Sequence, residues 1–181
     1  MKLIHKFKSL NYDKRNNKQI SFLILHYTAL PSIEDSIKYL CDKKNKVSCH
    51  YIISQNGKIY NLVNEKYRAW HAGQSAWLLE KDLNSVSIGI ELDFSINNIN
   101  SKFSKLLIES LISLLKYLKK KYKIDKKNIL GHSDIAPYRK IDPGKKFPWI
   151  KLCNLDLSYR PKKVSLIESE KIRVWFKKNK I

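Results

Sequence analysis

Ile20-Ser21-Phe22-Leu23-Ile24-Leu25-His26-Tyr27 is almost continuously apolar and rich in Ile, Leu and Phe. A strand with one wet face alternates polar and apolar residues, and this run does not, so it predicts a buried strand. A sheet built on such a strand needs helices to cover it. His26 stands at the strand's C-terminal end, just before Thr28-Ala29-Leu30-Pro31. A lone histidine in a buried strand usually bonds to the backbone, but a strand end is where side chains emerge at the rim of a sheet.

The other segments fit around this strand. Ser32 to Asp42 predicts a short helix, with Ser32 as N-cap, Glu34 and Asp35 in the first turn, and Ile33, Ile37, Leu40 and Cys41 on one face. Cys49 to Ser54 and Lys58 to Val63 predict a hairpin around Asn56-Gly57, two residues that tolerate the positive φ of a type I′ turn. Val86 to Leu92 alternates, with Val86, Ile88, Ile90 and Leu92 on one face and Ser87, Gly89 and Glu91 on the other. Ser101 to about Tyr122 predicts the long helix, with Phe103, Leu107, Leu111, Leu115, Leu118 and Tyr122 repeating at threes and fours. Ser101 can cap it, and Lys119, Lys120, Lys121 and Lys123 load its negative end. Asn128-Ile129-Leu130 predicts a short strand ending at Gly131, and Ser165 to Lys178 a terminal docking helix. The expected fold is one α/β domain, a central mixed β-sheet flanked by helices. The expected division is an N-terminal arm over residues 1–19, the main domain over 20–150 and a C-terminal extension over 151–181.

The chain has 181 residues, 43% of them hydrophobic, enough for a single domain with a real core. Its formal net charge of +20 reads first as a lysine-rich solvated surface. The functional alternative is attraction to a polyanion, either nucleic acid or an acidic cell-wall polymer. The basic residues are mostly Lys, whereas bidentate phosphate and base readers favour Arg, and no nucleic-acid motif is visible, so no nucleic-acid partner is expected. Cys41, Cys49 and Cys153 are odd in number and lack a CxxC, which predicts free thiols. No apolar run is long enough to cross a membrane, so no transmembrane segment is expected. Met1 to Lys8 is basic, but no apolar segment of signal-peptide length follows it. Two compartments stay open: the bacterial cytoplasm as the chain is written, or the cell envelope if a signal was removed. A monomer is the expected state.

The chemistry gathers in Gly131-His132-Ser133-Asp134-Ile135-Ala136-Pro137-Tyr138-Arg139-Lys140-Ile141-Asp142-Pro143-Gly144. Its prolines and Gly144 forbid a long helix and leave a shaped loop. His132 and Asp142 offer one nitrogen and one oxygen to a metal, and a zinc site with an open position needs a third ligand. His26 is the leading one. Zinc so held makes water acidic, with a pKa of roughly 7. Glu91 lies near the end of a strand, where a carboxylate is costly unless it is paired or works. It can take the proton from that water and pass it to a leaving amine. Lys140 can stabilise an oxyanion. The reaction class is metal-assisted hydrolysis of an amide. His50 on the hairpin, and Trp70 and His71 in Arg68-Ala69-Trp70-His71-Ala72-Gly73, are candidate substrate-binding residues, because aromatic faces hold sugar rings and acyl chains. Packing is the alternative reading of all three.

Several segments together resemble the zinc-dependent N-acetylmuramoyl-L-alanine amidases of the type 2 amidase and peptidoglycan recognition protein superfamily. They are Ile24-Leu25-His26-Tyr27-Thr28-Ala29, Val47-Ser48-Cys49-His50-Tyr51, Arg68 to Gly73, Ser87-Ile88-Gly89-Ile90-Glu91-Leu92, and Gly131 to Pro137 with Lys140 to Gly144. The resemblance covers about residues 20–150. It implies a central mixed sheet with flanking helices. It also implies Zn2+ as cofactor on His26, His132 and Asp142, Glu91 as catalytic acid/base, and Lys140 as a transition-state stabiliser. The substrate implied is peptidoglycan or a muropeptide, cut between the lactyl group of N-acetylmuramic acid and L-alanine. Gly73-Gln74-Ser75-Ala76-Trp77 looks more like the envelope-located members of that family, which tips the expected compartment towards the envelope. The competing reading is a peptidoglycan-binding or sensing module without catalysis. Members that only bind lack a metal or catalytic group, and all five are present here.

Overall fold

The computed structural model describes residues 1–95 and 101–160. Among these residues the strands are β1 (Leu3–Ile4), β2 (Tyr12–Lys14), β3 (Phe22–Tyr27), β4 (Tyr51–Ile53), β5 (Ile59–Asn61), β6 (Tyr67–Ala69), β7 (Ser87–Leu92) and β8 (Ile129–Gly131). The helices are α1 (Ile33–Cys41), α2 (Leu83–Val86), α3 (Lys105–Tyr122), α4 (His132–Ile135) and α5 (Trp149–Asn154). Six strands form one mixed sheet in the order β1-β5-β4-β7-β3-β8, and β2 pairs with β6 in a separate ribbon. Only β4 and β5 are antiparallel in the main sheet; β4, β7, β3 and β8 all run parallel. The expected α/β fold with a mixed sheet and flanking helices is what the chain forms. No described helix is long and apolar enough to cross a membrane.

The buried run forms β3, flanked by β7 and β8. One side of the sheet presents Leu23, Leu25, Ile88, Ile90 and Leu92 to Leu107, Leu111, Leu115 and Leu118 of α3. Each such side chain contributes about 1.5–3 kcal/mol when fully buried. The first turn of α3 carries no acidic residue to complement the helix dipole, an effect worth only about 0.3–1 kcal/mol. Packing therefore holds the helix. On the opposite side Ile37 and Leu40 of α1 cover Ile52 and Leu62, while Phe22, Ile24 and Leu130 pack with Leu83 and Val86 of α2.

Several local expectations change. The hairpin forms, but not through a type I′ turn. Among the non-glycine residues with positive φ Asn56 is absent, and only Gly57 adopts it, at 79°. The Gly57 amide donates to Ser54 O and the Ser54 amide to Lys58 O. This is a three-residue loop in which a type I turn ends in a left-handed glycine, the other common way to join two strands. Helix α3 begins at Lys105, capped by Ser104 rather than Ser101: Ser104 Oγ accepts from the Leu107 amide at 3.0 Å. Val86 belongs to α2, and β7 begins at Ser87 and is buried on both faces. The segment expected as an arm contributes β1 to the edge of the main sheet and β2 to the ribbon. The helix expected over Ser165 to Lys178 lies outside the described residues.

Candidate metal centre

Parallel pairing brings the C-terminal ends of β3, β7 and β8 to one rim of the sheet, where ligands of open α/β sheets usually bind. His26 of β3 is the register partner of Glu91 of β7, so both side chains leave the same face at the same level. β8 ends at Gly131, and His132 opens α4 directly after it. Asp142 returns to this point because its carbonyl accepts from the Ser133 amide at 2.9 Å. The prolines and turns after α4 fold the intervening loop back in a single short excursion. Asp134 serves that loop: its carboxylate accepts from the Gly131 amide at 2.7 Å and from Arg160 at 2.6 Å.

The structure brings His26, His132 and Asp142 together, all three buried. His26 Nδ1 lies 2.9 Å from His132 Nδ1, and Asp142 Oδ2 lies 3.1 Å from each. The donor set fits a divalent cation. His132 Nε2 sits 3.0 Å from the Ala72 carbonyl, which can only accept, so Nε2 carries a proton there and Nδ1 is the nitrogen turned inward. Asp142 is acceptor-only when ionised. Lone pairs that converge at this range repel unless a proton or a metal ion lies between them, and zinc takes this mixture of imidazole and carboxylate ligands. Burial pushes the pKa of His26 down to about 4, with His132 adding to the effect, so its ring is neutral and available.

Glu91 and Lys140 line the same cavity of about 370 Å³ as the three candidate ligands. Glu91 keeps some exposed surface, but its Oε2 is buried without a hydrogen-bond partner. Burial, with Asp142 adding to the effect and Lys140 opposing it, raises its pKa to about 8. A carboxyl of this kind can both take and give a proton near neutral pH.

The three candidate substrate-binding residues separate. His71 lines the cavity, but both ring nitrogens are taken: Nδ1 is 3.0 Å from His26 Nε2, and Nε2 is 3.0 Å from Ser87 Oγ. His50 does not reach the cavity. It is fully buried behind His71, its Nδ1 accepting from the Gly89 amide at 3.0 Å and its Nε2 3.0 Å from Tyr67 O. Trp70 is not brought to it either, because its indole N–H donates to Asp13 of β2 at 2.6 Å.

Three further residues build the support, and sequence reasoning passed over them. Asn84 Oδ1 accepts from the His71 and Ala72 amides at 2.9 and 2.7 Å. Ser87 bonds to His71, and a serine facing inward on a buried strand was its only sequence signal. Arg15 donates to the carbonyls of Glu65, Asn84, Ser85 and Ser87 from behind, with nothing in its polar surroundings to mark it.

Residues 16–145 match the N-acetylmuramoyl-L-alanine amidase family. N-acetylmuramoyl-L-alanine amidase AmiD of Escherichia coli is 39% identical over 156 residues, 79% of this chain and 55% of that protein, so the chain spans little more than half of that relative. The 1,6-anhydro-N-acetylmuramyl-L-alanine amidase AmpD of Haemophilus influenzae is 38% identical over 161 residues, 78% of this chain and 86% of that protein. Among solved structures, the Escherichia coli AmiD complex with the substrate anhydro-N-acetylmuramic acid-L-Ala-D-gamma-Glu-L-Lys superposes with a TM-score of 0.72. It is 35% identical in sequence, and the match covers 87% of this chain and 63% of that one.

Proposed function

The chain belongs to the N-acetylmuramoyl-L-alanine amidase family, and from that premise we propose that it hydrolyses the amide between the lactyl group of N-acetylmuramic acid and the L-alanine of a stem peptide. The observation that carries this reading is the meeting of three buried metal-ligand atoms within 3.1 Å of one another and an unpartnered carboxylate oxygen at one cavity. His26, His132 and Asp142 would hold Zn2+. When bound there, zinc supplies Lewis acidity that polarises the scissile carbonyl and makes water acidic enough to attack near neutral pH. Glu91 takes the proton of the attacking water on its carboxylate and delivers it to the nitrogen of the departing L-alanine, which leaves as a free amine. Lys140 presents its ammonium to the oxyanion that forms as the carbonyl carbon becomes tetrahedral. The substrate we favour is a soluble muropeptide, including the anhydro form, and the named specificity of the AmpD relative and the ligand of the AmiD complex support it. For the compartment we carry forward the envelope, on the form of Gly73-Gln74-Ser75-Ala76-Trp77.

The test is mass spectrometry of a purified anhydro-muramyl tripeptide incubated with the protein as purified, after chelation, and after zinc is restored. The expected result is release of free tripeptide that chelation stops and zinc restores. No cleavage by protein with stoichiometric zinc would refute the amidase and leave a binding module. Intact peptidoglycan run in parallel ranks the two substrate forms.

A further inference from the structure

His26 offers Nδ1 to the metal centre, so its other nitrogen decides whether that lone pair exists. His26 Nε2 meets His71 Nδ1 at 3.0 Å, and His71 Nε2 meets Ser87 Oγ at 3.0 Å. The Ser87 hydroxyl donates to the Leu83 carbonyl in α2. That carbonyl can only accept, and this sets the direction of every bond before it. Ser87 spends its proton on Leu83, so Oγ accepts from His71 Nε2–H. His71, a neutral ring, then has its lone pair on Nδ1 and accepts from His26 Nε2–H. His26 is left with a lone pair on Nδ1, facing Asp142 and His132. The second imidazole is fixed from the same place, since His132 Nε2–H donates to the carbonyl of Ala72, the next residue. Asn84 holds both amides of this dipeptide. The ring of His71 can lie against β7 only because Gly89 has no side chain: a Cβ there would be 2.3 Å from His71 Cγ.

We propose that His71 and Ser87 are positioning residues for the metal, fixing the tautomer of His26 so that Nδ1 is always the free nitrogen. This rests on the zinc assignment above. It replaces the substrate-binding reading of His71, whose ring has no nitrogen left to offer a ligand. Ser87 touches neither His132 nor Asp142, yet its loss reaches the metal. Without Oγ, His71 either buries an unpaired N–H or moves its proton to Nδ1. The second choice drives the His26 proton onto the nitrogen the metal needs. Partners of metal-bound histidines of this kind are typically worth about 10- to 100-fold in metal affinity.

The experiment compares wild type, Ser87→Ala, Ser87→Thr and Ser85→Ala. Zinc affinity is measured by competition with a chromophoric chelator. Imidazole tautomers are read in the zinc-free proteins from long-range nitrogen–proton NMR spectra, and stability of the zinc-free proteins from thermal unfolding. Ser87→Ala should bind zinc about 10- to 100-fold more weakly and show His26 with its proton partly on Nδ1. Ser87→Thr, which keeps the hydroxyl, should recover most of the affinity. Ser85→Ala removes a neighbouring hydroxyl bonded to Arg68 and Asp82 and should leave affinity and tautomers unchanged. Wild-type affinity and tautomers in Ser87→Ala, or a loss of stability alone, would overturn the proposal and leave the zinc site standing. If wild type itself fails to bind zinc, the zinc assignment and this proposal fall together.

Discussion

Replacing Glu91 by Gln should stabilise the zinc-free protein at alkaline pH relative to wild type, by an amount that grows with pH. Burial raises the Glu91 carboxyl from an ordinary value of 4.5 to about 8. The folded pKa lies above the unfolded one, so the folded state keeps a proton that the unfolded chain has already released. Stability attributable to Glu91 is therefore full below about pH 4.5 and is lost as pH rises towards 8. Gln is nearly isosteric and never ionises. At about 1.36 kcal/mol for each pH unit between the two values, the ceiling is about 5 kcal/mol. Residual exposure of the side chain and relaxation around it lower this, and about 2–3 kcal/mol is the expected gain between pH 5 and pH 8.5. The assay is urea unfolding of metal-free wild type and Glu91→Gln at the two pH values. Titration of the other groups largely cancels when the two proteins are subtracted. A gap that stays constant within about 0.5 kcal/mol, or narrows as pH rises, would refute the claim that this carboxyl is buried at a cost. Added zinc should shrink the gap, because a nearby cation favours the ionised carboxylate. Under turnover conditions the same variant should bind zinc and release no tripeptide.

Three further outcomes test the fold and its link to the site. Ser104→Ala should destabilise by about 1–2 kcal/mol, since the hydroxyl caps α3 and also donates to the Gln55 carbonyl; Ser101→Ala should stay within about 0.5 kcal/mol by the same denaturation assay. Leu111→Ala should cost about 2–5 kcal/mol, read by urea unfolding, because the side chain is fully buried between α3 and the sheet. Gly89→Ala should push His71 off β7 and weaken zinc in the chelator competition, whereas affinity equal to wild type would mean the ring has room to shift.

The reach of the sequence differed from element to element for physical reasons. The strand over Phe22–Tyr27 was legible because an eight-residue run with six apolar side chains, Ile20 to Tyr27, has few other folds open to it. Helix α1 and its Ser32 cap were legible because capping and periodicity are local: Ser32 Oγ accepts from the Asp35 amide at 3.0 Å, as its position implied. The start of α3 was not, because Ser101 and Ser104 are equally good caps in isolation. What separates them is tertiary: Ser104 also meets Gln55 of the hairpin loop, through its amide as well as its hydroxyl. The same holds at Asn56-Gly57, where the pair tolerates two turn types and the register of β4 on β5 selects the one with a single left-handed residue. The first 19 residues looked polar and local, yet Arg15 is buried and satisfied by backbone carbonyls brought from positions 65 to 87. No local pattern encodes carbonyls that arrive from that far along the chain.

The site divides along the same line. His26 and Glu91 stood out because an imidazole or a carboxylate buried at a strand end is expensive and asks for a reason, and His132 and Asp142 because they gather with other polar side chains in the one stretch from Gly131 to Gly144. Their support is made of cheap and common parts: a serine hydroxyl, an asparagine amide, one carbonyl and the missing side chain of Gly89. None of these is costly where it lies, so none stands out in a sequence. Yet the two imidazoles lean on one dipeptide, His71-Ala72, through a side chain in one case and a carbonyl in the other. A displacement of that dipeptide would turn both ligand nitrogens at once. The candidate metal centre thus depends on α2 and the start of β7 as well as on the segment that carries His132 and Asp142. Substitutions at Asn84 or Ser87 should disturb it more than substitutions at exposed Pro137 or Tyr138 in that loop.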